Sequence, residues 1–232
     1  MFTATARHYD ALYSDKDYDR EARELVTLVE RHRPDARTLL DVGCATGGHL
    51  VGLSKRFEVE GLDVDPALLE FARRKLPNVT FTCADMGLFD LGRRFDAITC
   101  LYGSIAYVKS VDTLRSAMSS MAAHLAPAGV LIVEPWWTKE TYVPGLQVRH
   151  VDLPHVKIAR MSIGRVRDGW VDLEVRYLIG EGDRIEHTRE RHEIGLFSRA
   201  EYEDAMSATG LASSYEEGGP AGRGVLVGLA KS

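Results

Sequence analysis

Leu39-Leu40-Asp41-Val42-Gly43-Cys44-Ala45-Thr46-Gly47-Gly48-His49 is an apolar strand that ends in an acid and opens into a turn of small residues. A helical stretch follows. Gly61-Leu62-Asp63-Val64-Asp65 then ends a second strand on another acid, about 20 residues on. This is a βαβ unit suited to holding a nucleoside against backbone. Gly43 and Gly47 carry no Cβ, so a ligand can approach the main chain closely. Asp63, at the tip of the second strand, is placed to accept both ribose hydroxyls, with Val64 beside it.

The turn discriminates among nucleoside ligands. No Gly-Lys-Ser/Thr follows it, which excludes a P-loop. A dinucleotide fold wants G-x-G-x-x-G, whereas the spacing here is Gly43-x-x-x-Gly47-Gly48. Asp41, before the turn, would repel a pyrophosphate but can pair with a ligand bearing an α-amino group; otherwise it caps the turn. S-adenosylmethionine (SAM) has that group. The next strand, Val79–Cys83, runs into Ala84-Asp85-Met86. Asp85 can accept from an adenine N6 amine, and flexible Met86 can pack on the ring. These three signs together resemble the class I SAM-dependent methyltransferases. That family usually has glycine at the position of Ala45, so the reading expects a negative φ there. The alternative is a glycine turn in an α/β protein that binds no ligand.

Composition narrows the class. At 232 residues the chain has room for one α/β domain with an insertion. Its 45% hydrophobic and 27% charged residues are ordinary soluble values. A net charge of −5 without a basic run argues against non-specific nucleic-acid binding. Cys44, Cys83 and Cys100 show no CxxC spacing and read as buried reduced thiols of a cytoplasmic protein. The eight histidines form no HExxH pattern, so no metal is expected. No segment resembles a signal peptide or a membrane span.

Periodicity lays out the rest. Residues 1–35 read as a helical lid with Tyr9, Tyr13 and Tyr18 ahead of an amphipathic stretch from Asp19 to Arg31, which Pro34 ends. Strands are expected near 38–42, 58–63, 79–83, 95–101 and 128–134, with Pro127 and Gly129 leading into the fifth. Helices are expected near 47–56, 66–75 and 111–125. Residues 136–194 switch to alternating segments at 147–150, 156–161, 170–179 and 184–194, an antiparallel β insertion covering the substrate. A capped helix at 198–209 and strands at 211–216 and 225–230 complete the core, which spans 36–135 and 195–232. The expected fold is α/β and Rossmann-like: a doubly wound seven-stranded sheet, its last strand antiparallel, plus the insertion.

Lys16-Asp17-Tyr18, Gly92-Arg93-Arg94-Phe95, Glu134-Pro135-Trp136-Trp137 and Gly218-Gly219-Pro220-Ala221-Gly222-Arg223-Gly224 narrow the resemblance further. From Tyr9 to Gly228 the chain is similar to bacterial methyltransferases that dimethylate the amine of a thymidine-diphosphate (dTDP) deoxyaminosugar in macrolide biosynthesis. The resemblance implies SAM as cofactor, with Tyr9, Tyr18, Gly43, Asp63, Asp85, Met86 and Leu101 binding it. It implies a dTDP-aminosugar as substrate, and pairing of two copies through lid and insertion. It also places Tyr107 near the reacting amine. One departure is Gly103, where the family usually has serine ahead of Ser104.

Each functional residue has a plainer reading. Tyr107 either orients the amine or packs on the lid; a phenol with a pKa near about 10 is a poor base. Glu134 either stabilises the substrate ammonium or caps a backbone amide. Of Trp136 and Trp137, one is expected to wall the substrate beside Ser104 and the other to pack in the insertion core. Arg223 either clamps the diphosphate or is a solvated turn arginine. Arg149, Arg160 and Arg176 either assist it or lie on a solvated strand face. His49 and His124 read as structural. Two other functions stay open: methylation of a different small natural product at O or N, and a non-catalytic SAM-binding module.

Overall fold

A computed structural model of the chain describes residues 5–231; the start of the expected lid, residues 1–4, lies outside the described residues. Two helices lead in: α1 (Tyr9–Leu12) and α2 (Tyr18–His32), the latter capped by the Asp17 carboxylate, which accepts the Arg20 N–H at 2.9 Å. Strand and helix then alternate as β1 (Thr38–Val42), α3 (Gly48–Leu53), β2 (Glu58–Asp63), α4 (Pro66–Lys75) and β3 (Thr80–Cys83). β4 (Phe95–Cys100), a 3₁₀ turn at Ser104–Val108, α5 (Val111–Ala123) and β5 (Leu125–Val133) follow. Four antiparallel strands come next, β6 (Gly145–Asp152), β7 (Lys157–Arg167), β8 (Trp170–Glu181) and β9 (Arg184–Gly195). The chain ends with α6 (Arg199–Ser207), β10 (Ala212–Glu216) and β11 (Val225–Leu229).

The main sheet has seven strands in the order β10-β11-β5-β4-β1-β2-β3, with β11 antiparallel to both neighbours. From β1 the chain winds outward through β2 and β3, then returns to the other side of β1 as β4. The carboxyl ends of β1 and β4 therefore form a topological switch point, where open α/β sheets hold ligands. Strand alternation sends Leu39 and Leu40 to opposite faces. Leu39 packs with Leu25, Leu50 and Ile132, and Leu40 with Ile98, Met118 and Leu226. A third apolar cluster joins Leu12 of α1 to Val151, Ile158 and Val175 of the second sheet. The N-terminal segment is thus fastened to the antiparallel strands.

Three local readings need correction. The fifth strand begins at Leu125, before Pro127. The stretch 126–129 is a bulge within it, because Phe95 pairs with Leu125 and Ala97 already pairs with Val130. Strands β6 to β9 run 8, 11, 12 and 12 residues, longer than expected, because pairing continues to tight turns at Gly169 and Gly182, where φ is +79° and +60°. Cys83 is exposed, whereas Cys44 and Cys100 are buried; all three are free. No helix among the described residues is long and apolar enough to cross a membrane.

Candidate active site

The loop after β1 folds back over the tip of β2. Gly43 and Cys44 donate to the Leu62 carbonyl at 2.7 and 3.1 Å, and Gly47 donates to the Cys44 carbonyl at 2.8 Å. Gly43 has φ +76°, and a Cβ there would lie 2.6 Å from Ser104 Cβ. Only glycine lets these two loops close. Ala45 has φ +48°, against the expected negative value. A left-handed alanine costs roughly 1–2 kcal/mol. Its N–H donates to Asp63 Oδ2 at 2.8 Å, which fixes that conformation.

Asp63 therefore has a second task beside the one expected of it. Its Oδ1 accepts the Asp65 N–H at 2.9 Å, and burial pushes its carboxyl pKa up. Asp41 is buried at the end of β1 and accepts the Thr99 hydroxyl at 2.8 Å. Burial lifts its pKa to about 6. Asp85 is exposed at the tip of β3 and accepts the Gly87 N–H at 2.7 Å, and Met86 reaches back beside Gly43. Val64 is 44% exposed next to Asp63.

A cavity of about 380 Å³ opens at this sheet edge, between the main sheet, the N-terminal segment and the antiparallel sheet. The main-sheet edge contributes Asp41, Gly43, Ala45 and Leu101 to its lining, and Tyr9, Tyr18, Ser104 and Tyr107 line it too. Trp136, Trp137 and Arg223 also line it. Asp63, Val64, Asp85, Met86 and Glu134 stand outside its wall.

Tyr9 and Tyr13 have ring centroids 4.7 Å apart, and Tyr13 meets Tyr102 edge-on at 5.7 Å. Tyr18 packs on Gly48, where a Cβ would lie 2.6 Å from its ring. Gly103 is explained similarly: its φ is +76°, and a Cβ would come within 2.9 Å of Trp136. Neither tryptophan packs in the core of the antiparallel sheet. Trp136 lies against Tyr142 at 5.2 Å, and Trp137 is 42% exposed.

The Glu134 carboxylate is fully engaged by backbone. Its oxygens accept the Tyr102 and Ala221 N–H groups, both at 2.7 Å, and its own carbonyl accepts Gly103 N–H at 3.2 Å. The plainer reading, an amide cap, describes this geometry. Arg223 is different. Its guanidinium lies over the Tyr102 ring at 4.9 Å and near Trp137 at 5.7 Å, and its buried Nε and Nη2 have no hydrogen-bond partner among the described residues. Arg149, bonded to Asp15, and Arg160 also face the cavity. Arg176 lies outside it, paired with Glu174 on the solvent side.

Several lining residues carried no role in the sequence reading. Lys16 is almost buried, lies 3.8 Å from the Tyr102 ring and bonds Glu21. Glu21 also bonds His49 Nε2 at 2.8 Å. Burial raises the Glu21 carboxyl, but the bonds from His49 and Lys16 outweigh it and leave the pKa low. His124 is structural: Nε2 accepts the Leu91 N–H at 3.0 Å while Nδ1 lies 2.7 Å from the Ser120 carbonyl. Among the lining residues Asp41 is thus the carboxylate, and Lys16, Arg149, Arg160 and Arg223 carry positive charge.

Comparison with known proteins gives this lining a context. A family model described as a methyltransferase domain matches residues 39–129. The dTDP-3-amino-3,6-dideoxy-alpha-D-glucopyranose N,N-dimethyltransferase of Streptomyces fradiae is 42% identical over 97% of this chain and 90% of its own length. The chain belongs to the dTDP-aminosugar N,N-dimethyltransferases. The dTDP-4-amino-2,3,4,6-tetradeoxy-D-glucose N,N-dimethyltransferase of Saccharopolyspora spinosa, another relative, is 38% identical over 95% of this chain and 90% of itself. Among solved structures, DesVI of Streptomyces venezuelae matches with a TM-score of 0.92 at 38% identity, covering 99% of this chain and 98% of that one. SAM-bound CalS10, an amino pentose methyltransferase from Micromonospora echinaspora, matches at 0.87 and 37% over 100% and 98%. The expected fold class holds throughout: a seven-stranded sheet with its last strand antiparallel, plus a four-stranded antiparallel sheet.

Proposed function

We propose that this enzyme transfers methyl groups from SAM to the amine of a dTDP-linked deoxyaminosugar, giving the dimethylamino sugar of an antibiotic. The observation that carries the reading is Arg223. It holds two buried donors without a partner among the described residues, in a cavity that Arg149, Arg160 and the Asp41 carboxylate also line. A guanidinium fork matches a diphosphate, and Arg149 and Arg160 add charge beside it. The Asp41 carboxylate suits a cation. The ionised Asp41 pairs with an α-amino group, and Asp63 accepts ribose hydroxyls while holding the loop.

When bound, SAM supplies an electrophilic methyl on a sulfonium. The protein's part is alignment. The Gly43 loop and Ser104 set one wall, the tyrosines of the N-terminal segment close over it, and Trp136 limits the sugar's freedom. Holding nucleophile, methyl and leaving group in line is worth about 7–11 kcal/mol. The role of Glu134 is to pin the loop of Tyr102 to the loop that carries Arg223. Residues 5–35 and the antiparallel strands serve as lid and cover, and no step needs a metal.

Mass spectrometry of reactions with SAM and a panel of dTDP-aminosugars tests the reading. Dimethylated sugar nucleotide is the expected product. Calorimetry with dTDP separates the parts: Arg223→Ala weakens it about 10-fold or more, as loss of a charge-assisted contact predicts. Turnover of hydroxylated acceptors alone, without dTDP binding, refutes the assignment.

A further inference from the structure

Strand β9 brings His192 to the cavity, with Glu190 beside it, and the reading above leaves both unused. Alternation puts Glu190, His192 and Ile194 on one face, and all three are buried. The Tyr107 hydroxyl lies 3.1 Å from His192 Nδ1. His192 Nε2 lies 3.5 Å from Glu190 Oε2. Glu190 is itself anchored: Oε1 accepts the Thr5 N–H at 3.0 Å and the Thr5 hydroxyl at 2.9 Å, and Oε2 accepts the Tyr177 hydroxyl at 3.3 Å. A carboxylate facing Nε2 favours hydrogen on that nitrogen, which leaves Nδ1 to accept from Tyr107. Tyr107 and His192 both line the cavity.

Resting on the aminosugar reading, we infer that Tyr107, His192 and Glu190 form a proton relay that deprotonates the sugar ammonium before each methyl transfer. An amine attacks only through a free electron pair. An ammonium arriving from water must lose a proton, and after one transfer the nitrogen is again protonated. In the relay the N–H bond breaks and its proton passes to the Tyr107 oxygen. The phenol's own proton passes to His192 Nδ1 at the same time. The nitrogen keeps the electron pair, and the new imidazolium faces Glu190. The proton returns to water between turnovers. No phenolate forms, which agrees with burial raising the Tyr107 pKa far above its usual value. Tyr107 is the catalytic residue, and His192 is a positioning residue acting through it. The other ionisable groups around the pair include Tyr177 of β8, with Arg160 of β7 behind it, Tyr9 and Tyr13 of the N-terminal segment, and Asp63.

The test is methylation of a dTDP-aminosugar by wild type, His192→Gln and Glu190→Gln, followed by mass spectrometry across pH. Glutamine keeps an oxygen that accepts from Tyr107 but takes no proton. Near neutral pH, His192→Gln lowers kcat about 10²-fold, the lower end of general acid–base contributions. KM for the sugar nucleotide and affinity for S-adenosylhomocysteine stay unchanged. Monomethyl product accumulates, and the deficit shrinks at alkaline pH, where hydroxide removes the proton. Glu190→Gln shows the same pattern more weakly. Unchanged kcat and product ratio in His192→Gln overturn the relay and leave the sugar reading standing. A deficit equal at every pH, or lost S-adenosylhomocysteine binding, reduces His192 to packing and overturns it as well. A wild type that methylates no dTDP-aminosugar overturns reading and relay together.

Discussion

Replacing Glu134 by glutamine separates two roles for this residue. Its carboxylate is 1% exposed and accepts two backbone N–H groups, from Tyr102 and Ala221, each at 2.7 Å. Glutamine keeps one acceptor and turns an NH₂ toward the other amide. One charge-assisted bond is lost, worth about 1.5–3 kcal/mol. For a chain of this size, 1 kcal/mol moves Tm by about 2–4 °C, so a fall of about 3–12 °C is expected. Because Ala221 sits two residues from Arg223, dTDP affinity falls as well, while binding of S-adenosylhomocysteine changes less. Differential scanning calorimetry and titration calorimetry read both. A variant with wild-type Tm and wild-type dTDP affinity, but a collapsed kcat, refutes the argument and returns Glu134 to the substrate ammonium.

Asp41 gives a pH prediction. Its pKa is raised from 3.8 to about 6, so its stabilising effect is complete below the unfolded value and is lost as pH rises through about 6. Asp41→Asn therefore raises Tm under alkaline conditions, leaves it little changed in acid, and weakens SAM binding where the wild-type carboxylate is ionised. In the wild type, titration calorimetry is expected to find that affinity for SAM falls as pH drops below about 6. Ala45→Gly relieves a left-handed alanine, worth about 1–2 kcal/mol, against about 0.4–1 kcal/mol of added unfolded-chain entropy, so thermal melting is expected to show a small rise in Tm. Arg223→Ala changes Tm little, because two of the lost guanidinium nitrogens, Nε and Nη2, had no hydrogen-bond partner among the described residues; a large fall in Tm would show that Arg223 holds its loop.

The sequence was most readable where physics is local. Asp41, Gly43 and Asp63 were legible because a strand tip and a glycine turn have a short-range signature. Arg223 stood out because glycines flank it. Glu134 reads two ways, and a partner that supports the amide cap, the Ala221 N–H, lies 87 residues along the chain. The positive φ of Ala45 departs from its local sequence for the same reason, since the carboxylate that fixes its backbone is 18 residues away. The bulge at 126–129 depends on register with β4, which no local pattern encodes. His192 had a faint signal, a polar residue in step with Ile194 on an alternating strand. Using it required knowing which face of that strand turns inward. Lys16 takes its place from Glu21 and from Tyr102, the latter distant in sequence, which its own motif does not encode.

The bonds from Thr5 to Glu190 span 185 residues. During synthesis Thr5 has no carboxylate to bond until β9 has left the ribosome, long after β1 to β5 are available to pair. The cover of the substrate chamber is then completed after the first five strands of the main sheet have emerged and before β10 and β11 join that sheet.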